Sequence, residues 1–328
     1  MKRLAQPLAV AGPVLLLAGC GTDVQSVMAP RGTQAGQIAE LAWIVFGFAA
    51  LVLSFVVAAV WFAIRGPARL RGALARERAV IALGLIFPAT SLTLLLAYGV
   101  FLMRTNVLAA DPVNAVRIEV IGEQWWWRVS YGDAGIVGAN EIRIPVGRPV
   151  RFTLKASDVI HSFWVPSLGG KVDMIPGRIT ALQLSAEREG TYRGQCAEYC
   201  GGPHALMALE VIAMPPADYE AWVAREAAPA RTPSNEQEQR GRSLFVASGC
   251  GTCHAVRGTV ATGTIGPDLT HFGSRRSIGI DTLPLTAENI ARFIARGQQI
   301  KPGNRMPEFR IFSVDEHAAL AAYLLSLR

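Results

Sequence analysis

A short segment between residues 196 and 207 holds four side chains that bind soft metal ions. Cys196 and Cys200 are four positions apart, His204 follows after four more, and Met207 after a further three. One turning loop can therefore direct two thiolates, an imidazole and a thioether at a single point. Ligands of these three kinds together select copper over the hard cations. Zinc accepts cysteine and histidine but has little use for a thioether, so the methionine favours copper.

A copper site of this kind needs a second histidine. His161 is the best candidate, because it follows a strand-like run at 150–154 and opens the sequence His-Ser-Phe-Trp-Val-Pro. The alternative for the cysteines is a Cys196–Cys200 disulfide in an exported domain. A disulfide leaves the downstream histidine and methionine unexplained, so the sequence predicts a copper loop.

A second group of reactive residues is the run Cys-Gly-Thr-Cys-His at 250–254, which is the c-type haem attachment motif. The thiols of Cys250 and Cys253 add to the haem vinyl groups, and His254 is placed to ligate the iron. A bare redox-active Cys-x-x-Cys pair is the alternative. The adjacent histidine favours haem.

Three residues are candidates for the second axial ligand of this haem. Met306 lies in Gly-Asn-Arg-Met-Pro-Glu-Phe, a loop that resembles the Met-Pro loop of small cytochromes c, and thioether ligation suits an electron carrier. His271 is the second candidate, and His317, in a predicted helix over 314–327, is the third. The turn around Pro267 resembles the one whose proline carbonyl receives the N–H of the haem-ligating histidine.

The copper pattern as a whole resembles a known family. Cys-x-Glu-x-Cys-x-x-x-His-x-x-Met, preceded by His-Ser-Phe-x-Val-Pro, is similar to the dinuclear copper A site of cytochrome c oxidase subunit II. The segments 169–178 and 122–127 are similar to that family as well. The resemblance implies that two of these residues bridge two copper ions, Cys196 and Cys200. It implies that the remaining ligands are His161, His204, Met207 and the backbone carbonyl of Glu198.

Two residues gain a further role from the resemblance. It implies that electrons enter the copper domain at Trp125, and that the Glu198 carboxylate also touches a magnesium site shared with the large subunit. Core packing is the alternative for at least one of the three tryptophans at 125–127. The sequence departs from the family where many members carry a glutamate at the mouth of a proton path, because Ile81 stands there and Glu77 lies a full turn away.

A membrane anchor is the first element that would position these sites. Of 328 residues, 51% are hydrophobic, more than a soluble chain of this length needs. Residues 38–64 and 79–103 are each long and apolar enough to span a bilayer, and Pro88 is predicted to kink the second span. The loop 65–78 between them holds five arginines. The positive-inside rule places this loop in the cytoplasm and both redox domains on the periplasmic face of a bacterial cell membrane.

The N-terminus is predicted to be a signal sequence. Lys2 and Arg3 precede an apolar run that ends in Leu-Ala-Gly-Cys, which resembles a bacterial lipoprotein cleavage site. Residues 1–19 would be the signal peptide, Cys20 the lipid-modified N-terminus, and 20–37 a short periplasmic segment. An ordinary signal sequence with an unmodified cysteine is the alternative. The net charge of +7 comes with no nucleic-acid motif, so it is interpreted as a topology signal.

Three segments follow the membrane hairpin. Residues 113–213 predict an all-β sandwich, which a cupredoxin fits; 214–235 predict a proline- and alanine-rich linker; and 236–328 predict an all-α class I cytochrome c domain. The predicted strands contain the alternating residues Val116/Ile118/Val120, Ile142/Ile144, Phe152/Leu154, Leu182/Leu184 and Leu209/Val211. Two predicted capping boxes open helices that flank the last domain, Ser234 with Gln237 and Ser313 with Glu316.

This order of parts resembles the fused subunit II of caa-type haem–copper oxidases. The resemblance implies that electrons pass from haem c to copper A and on to subunit I, which reduces oxygen to water. It also implies an external cytochrome c or another respiratory donor, and further oxidase subunits as partners. The electron-entry subunit of a related haem–copper nitric oxide reductase is the alternative. A quinol oxidase subunit II lacks the copper ligands, and a copper-handling membrane lipoprotein needs neither haem c nor two spans.

Overall fold

The structure is a computed structural model, and it describes residues 25–106 and 114–328. The predicted signal peptide and Cys20 lie outside the described residues. Within them, two long apolar helices precede a β-sandwich and then a helical domain, in the predicted order. The described helices are α1 Thr33–Arg65, α2 Ala68–Leu74, α3 Glu77–Ile81, α4 Phe87–Asn106, α5 Pro216–Ala227, α6 Glu236–Ala247, α7 Ala287–Ile300 and α8 Val314–Ser326.

The membrane hairpin has longer helices than the sequence predicts. Within residues 25–106 and 114–328, two segments are long and apolar enough to cross a membrane, Thr33–Arg65 and Glu77–Met103. The predicted spans were 38–64 and 79–103, so each helix extends beyond its apolar run. The predicted loop 65–78 is partly helical, because it contains α2.

The first turn of α1 extends because it docks on the β-sandwich. The backbone N–H of Arg31 donates to the carbonyl of Ser167 at 2.8 Å, and that of Ala35 to the carbonyl of Leu168 at 3.1 Å. Ala35 is buried in this contact. The unpaired N–H groups at the start of a helix need partners, and the neighbouring domain supplies one of them. This contact ties the first membrane helix to the domain that carries the copper loop.

Between α3 and α4 the helix widens into one π-helical segment, Ala82–Ile86. Pro88 follows directly, and a proline has no N–H to donate and clashes with the carbonyl of the preceding turn. A π segment relieves that clash without ending the helix. Where the sequence predicts a kink at Pro88, the structure has a local π-helical widening just before it.

The sandwich consists of two five-stranded sheets with the orders β3-β2-β1-β5-β8 and β4-β10-β9-β6-β7. Their strands are β1 Val116–Glu123, β2 Trp126–Tyr131, β3 Ile136–Ala139, β4 Glu141–Pro145, β5 Val150–Ala156, β6 His161–Trp164, β7 Val172–Met174, β8 Thr180–Leu184, β9 Gly190–Cys196 and β10 Ala208–Met214. The core lies between the sheets, where Trp127 packs edge-on against Phe163 at 5.9 Å between ring centroids. The all-β sandwich is confirmed.

The predicted linker 214–235 is wrong over its first half. α5 occupies that half and packs against the sandwich, where Trp222 and its neighbour Tyr219 are buried. The Trp222 ring lies 5.1 Å from that of Tyr131, and the Arg143 guanidinium lies over it at 5.4 Å. The prolines that suggested a linker stand at the start of the helix, a position that proline favours. Only the residues after α5 connect the domains in extended form.

The last domain is built on α6, α7 and α8, with a small ribbon of β11 (Ser277–Ile278) and β12 (Leu283–Pro284). α6 and α8 cross closely at Gly241, where an added Cβ would lie 2.0 Å from the carbonyl oxygen of Ala319. A glycine is therefore required at this crossing. Phe245 and Tyr323 pack beside it, and the domain has a hydrophobic core of its own.

One of the two capping predictions is wrong by one residue. Asn235, and not Ser234, caps α6 by accepting a hydrogen bond from the Glu238 N–H at 2.9 Å. The Ser234 N–H instead donates to the Glu238 carboxylate at 2.7 Å. The second capping box, Ser313 with Glu316 at the start of α8, is confirmed.

Candidate metal centres

The copper loop connects two adjacent strands of one sheet. Cys196 is the last residue of β9, and Met207 directly precedes β10. The two strands pair antiparallel, and the Cys196 N–H donates to the Met207 carbonyl at 2.9 Å. The ends of the loop are therefore held together by the sheet, so the residues between them turn back toward one point.

His161 comes to the same point from the neighbouring strand. β6 pairs antiparallel with β9, which places Phe163 opposite Cys196. The His161 Nδ1 then lies 3.8 Å from the Cys196 Sγ. Its Nε2 hydrogen-bonds the Asp158 carboxylate at 2.8 Å. Asp158 thereby fixes the ring so that Nδ1 faces the sulfurs, which is how a carboxylate commonly orients a metal-binding histidine.

The other predicted ligands surround the two sulfurs. The Sγ atoms of Cys196 and Cys200 are 3.7 Å apart, and both cysteines are free, so no disulfide joins them. The Cys200 Sγ lies 3.4 Å from the His204 Nδ1 and 3.7 Å from the Met207 Sδ. The carbonyl oxygen of Glu198 lies 3.2 Å from the Cys196 Sγ. The six predicted ligand residues thus meet at one site.

This donor set fits copper. The two cysteine sulfurs lie at the centre of the site. The imidazole of His161 and the carbonyl of Glu198 lie next to Cys196. The imidazole of His204 and the thioether of Met207 lie next to Cys200. Thiolate and thioether ligands together favour copper. The six donor groups at this site are also more than the four ligands of a tetrahedral zinc site. His161, Cys196 and Cys200 are buried, so a metal held there is shielded from solvent.

The protonation of the site follows from these contacts. The hydrogen bond with Cys200 lowers the pKa of Cys196 to about 3, although burial opposes this, and the same contact raises the pKa of Cys200. Burial lowers the pKa of His161, but its contacts with Cys196 and Asp158 outweigh burial and raise it. The metal ligand is the thiolate, so binding of a metal releases any thiol proton that the pair carries.

Trp125 touches the copper loop directly. Its indole N–H donates to the carbonyl of Cys200 at 3.0 Å, and the Gln124 side-chain amide donates to the same carbonyl at 2.9 Å. β2 begins at Trp126, so Trp125 precedes the strand, whereas Trp127 lies in the core against the His161 ring. Core packing is thus the role of Trp127, and Trp125 contacts a predicted metal ligand.

The haem motif forms a tight turn that presents its histidine. Cys250 opens a single 3₁₀ turn, Cys250–Thr252, and Cys253 follows it. The His254 Nδ1 hydrogen-bonds the Pro267 carbonyl at 2.7 Å, which leaves Nε2 for the iron. Gly266 makes room for the ring, because an added Cβ would lie 2.6 Å from the His254 Cε1. Burial lowers the pKa of His254 and so favours the neutral imidazole that binds a metal.

The two histidines considered as distal ligands are engaged elsewhere. The His271 Nε2 hydrogen-bonds the Ala228 carbonyl at 3.0 Å, beside the chain that joins the domains. Both ring nitrogens of His317 lie 3.0 Å from backbone carbonyls, those of Ser313 and Phe309. Met306 packs against the hydrophobic core of the helical domain. These contacts favour Met306 among the three candidates.

Sequence reasoning missed two polar residues beside the copper loop. Asp158, three positions before His161, gives only a weak signal in the sequence. Lys301 lies in the helical domain, and its buried Nζ donates to the carbonyl of Leu206 at 3.1 Å. Burial lowers the pKa of Lys301 to about 8. Lys301 and Leu206 are 95 positions apart, so no local sequence pattern predicts their contact.

Comparisons with known proteins agree with both centres. A family model described as cytochrome c oxidase subunit II, periplasmic domain, matches residues 135–214, and one described as cytochrome c matches 238–328. Cytochrome c oxidase subunit 2 of Alkalihalophilus pseudofirmus is 36% identical over 326 residues, which cover 96% of this chain and 94% of the relative. The subunit 2 of Bacillus subtilis is 32% identical over 66% of this chain and 63% of the relative.

A solved structure is similar over one domain. It is the periplasmic domain of subunit II of cytochrome oxidase from Bradyrhizobium japonicum, 29% identical, covering 36% of this chain and 96% of the other, with a TM-score of 0.34. The relatives from Alkalihalophilus pseudofirmus and Bacillus subtilis are cytochrome c oxidase subunits, so they support an oxygen reductase over a nitric oxide reductase.

Proposed function

Because the chain belongs to the cytochrome c oxidase subunit II family, with a cytochrome c domain fused to it, we propose that electrons reach its copper A centre from its own haem c. As a subunit of a haem–copper oxidase it acts with other oxidase subunits, and oxygen is reduced in the large subunit. One observation supports the copper assignment best. The two cysteine sulfurs lie 3.7 Å apart, and donor groups of the other four predicted ligand residues surround them.

The copper ligands in this proposal are His161, Cys196, Cys200, His204 and Met207, with the carbonyl of Glu198. Two copper ions held by these residues would supply a centre that takes up and releases one electron. The chain's own contribution is rigidity. The sheet fixes both ends of the loop, and hydrogen bonds from Gln124 and Trp125 hold the Cys200 carbonyl. A site held this firmly changes its geometry little when its charge changes, which speeds electron transfer.

The haem ligands in this proposal are Cys250 and Cys253 as covalent attachments, and His254 and Met306 as axial ligands. The Pro267 carbonyl orients His254 and raises the basicity of its free nitrogen. The hydrogen bonds of His271 and His317 to carbonyls support Met306. A histidine–methionine pair gives a haem suited to electron transfer.

The Glu198 carboxylate is proposed to reach a magnesium ion shared with the large subunit. Its carbonyl faces the copper sulfurs, while the carboxylate lies 3.6 Å from the Lys171 ammonium and is about half exposed. One residue therefore faces both the metal loop and the outer surface. Binding of magnesium by the Glu198 carboxylate would require its ion pair with Lys171 to break.

The chain is anchored in a membrane by its two apolar helices, and its orientation is proposed from charge. The arginine-rich segment 65–78 would face the cytoplasm, and both redox domains the periplasm. The signal peptide, lipid modification of Cys20 and the role of Glu77 in place of Ile81 stay predictions of the sequence. The external donor is proposed to be a cytochrome c or another respiratory electron carrier.

The order of the two centres is tested by rapid mixing of the purified, fully oxidised chain with reduced external cytochrome c. Absorption of the haem and of the copper centre would be followed separately. We expect the attached haem to be reduced first and the copper centre to follow from it. Reduction of the copper centre while the attached haem stays oxidised would contradict the proposal.

A further inference from the structure

The haem-bearing domain rests on the copper loop through the loop that holds Met306. Lys301, at the start of that loop, donates to the Leu206 carbonyl of the copper loop at 3.1 Å. Gly303 packs on Trp125, since an added Cβ would lie 3.2 and 3.3 Å from two ring carbons of the indole. The indole also touches the copper loop, where a Cβ on Gly202 would lie 3.6 Å from it. Trp125 thus contacts both loops and is half-buried.

A second contact lies at a separate place on the sandwich. We call residues 276–282 the docking ribbon; it includes β11 and the turn that leads to β12. Ile280 of this ribbon is 6% exposed and belongs to the hydrophobic core of the copper domain, although it is part of the haem domain in sequence. A side chain of one domain buried in the core of the other fixes their relative position.

Charged groups flank this buried side chain. The Arg276 guanidinium lies 2.9 Å from the Glu210 carboxylate, and the Arg276 N–H donates to the Glu141 carboxylate at 2.6 Å. On the other side, Arg193 lies 3.7 Å from Asp281. Each of these contacts joins the docking ribbon to the sheet that contains β9 and β10, the strands that hold the copper loop.

The backbone of the docking ribbon is strained to make this contact. Ile280 has φ of 63° and Asp281 has φ of 53°. A β-branched residue at positive φ is a true outlier, and such a conformation persists only where the surrounding structure imposes it. Glycine would adopt this backbone freely. The presence of isoleucine at position 280 is therefore explained by the burial of its side chain in the copper domain, and not by the backbone conformation of the turn.

We propose that the docking ribbon holds the haem domain in one fixed position on the copper domain, with Lys301 and Gly303 seated over the copper loop and Trp125. The proposal rests on the proposed transfer from haem c to copper. In this position Gly303 of the haem domain lies against the indole, so an external donor delivers its electron to the haem domain and not directly to Trp125. The extended connector then serves as a covalent link between docked domains and not as a tether for a searching domain.

The test uses the full chain with both centres loaded. A flash-generated reductant reduces the haem, and the passage of one electron from reduced haem to the oxidised copper centre is timed in solutions of increasing viscosity. A fixed complex predicts a rate independent of viscosity. A wild-type rate that falls in inverse proportion to viscosity would show a domain search and overturn the proposal without need of any variant.

The variant Ile280→Gly removes the buried side chain while suiting the backbone of the turn. We expect haem-to-copper transfer to slow by about tenfold or more and to become dependent on viscosity, because a fixed contact is replaced by a tethered encounter. The absorption spectra of both centres should not change. Ile311→Gly is the matched control, since Ile311 is 86% exposed in the same domain, and it should behave as the wild type.

Amide hydrogen exchange gives a readout that does not depend on electron transfer. In Ile280→Gly, peptides covering 200–206 and 299–304 should lose protection, and in Ile311→Gly they should not. Unchanged protection together with a rate within twofold of the wild type would overturn the docking proposal. Absence of haem-to-copper transfer in the wild type as well would instead overturn the proposed function, so the two failures are distinguishable.

Discussion

At the scale of single residues, Asp158 connects His161, a proposed copper ligand, to three other groups. Its carboxylate accepts from the His161 Nε2 at 2.8 Å and from the Gln124 N–H at 2.7 Å. It also accepts from the Val159 N–H, and Arg305 of the haem domain lies 3.6 Å away. Burial raises the pKa of Asp158, but the hydrogen bonds from His161 and the two N–H groups outweigh this and lower it. The carboxylate therefore stays ionised and keeps the imidazole oriented.

Replacing this carboxylate should weaken copper binding. In Asp158→Asn the charge that orients His161 is lost, and we expect copper affinity to fall by about 10- to 100-fold. Competition with a copper chelator on the purified chain measures this. Asp133→Asn, a change to an acidic residue of the same domain with no described contact to the copper ligands, should leave the affinity unaltered. Equal affinities for the two variants would remove Asp158 from the site.

Trp125 is predicted to lie on the route between haem and copper. Trp125→Leu should slow haem-to-copper transfer, because the indole contacts Gly303 on one side and donates to the Cys200 carbonyl on the other. The neighbouring variant Trp126→Leu is the control, since that ring packs under the Arg128 guanidinium, 4.7 Å from it. Flash-induced transfer in both variants, with spectra recorded for each centre, is the measurement. An unchanged rate in Trp125→Leu would leave this residue a packing role alone.

The proposed ligands within the copper loop and the haem motif could be named from the sequence because their spacing is local, whereas His161 and Met306 were named from the separate motifs that contain them. The copper loop spans twelve positions, and the haem motif spans five. Asp158 was not predicted, since one carboxylate three positions before His161 is a weak signal. Lys301 and Ile280 were not predictable, since each acts through contacts with residues far away in sequence. Those contacts depend on how strands and domains pack, which no local pattern records.

At the scale of elements, predicted strands correspond to clear alternation of apolar residues. β1, β4, β5, β8 and β10 were predicted on that pattern. The other five described strands of the sandwich are short or interrupted by glycine, tryptophan or polar residues, as in β9 with its sequence Gly-Thr-Tyr-Arg-Gly-Gln-Cys. Pairing with neighbours, and not intrinsic preference, forms such strands.

The helix α5 was predicted as a linker because its first residues are prolines and its composition is rich in alanine. Its buried aromatic residues show that it belongs to the sandwich. Trp222→Ala should therefore destabilise the copper domain by about 3 kcal/mol or more, the usual cost of deleting a buried aromatic ring. Val223→Ala, which removes a smaller and only partly buried side chain, should cost about 1 kcal/mol. Denaturant unfolding followed by loss of the copper absorption measures both.

If Trp222→Ala and Val223→Ala shifted the unfolding midpoint equally, α5 would be a surface helix without a structural role. The same comparison tests the boundary between the copper domain and the connector. If the copper domain ended at β10, neither substitution would change its free energy of unfolding.

At the scale of the whole molecule, the order of parts followed from the sequence because apolar runs, alternating strands and capped helices occupy separate stretches of it. The relation between the two redox domains did not follow, because a proline-rich segment gives no information about what the domains do on either side of it. The described structure places the loop of Met306 on the copper loop, and the docking ribbon beside β9 and β10. A chain interpreted as two tethered carriers is therefore better described as one docked unit.

The central claim is that Cys196 and Cys200 hold two copper ions in one electronically shared centre. The direct measurement is electron paramagnetic resonance of the oxidised, purified chain, together with its copper-to-protein ratio. We predict hyperfine coupling of one electron to two equivalent copper nuclei, its loss in Cys200→Ser, and its retention with altered splitting in Met207→Leu. A spectrum showing coupling to a single copper nucleus in the fully loaded wild type would contradict the account.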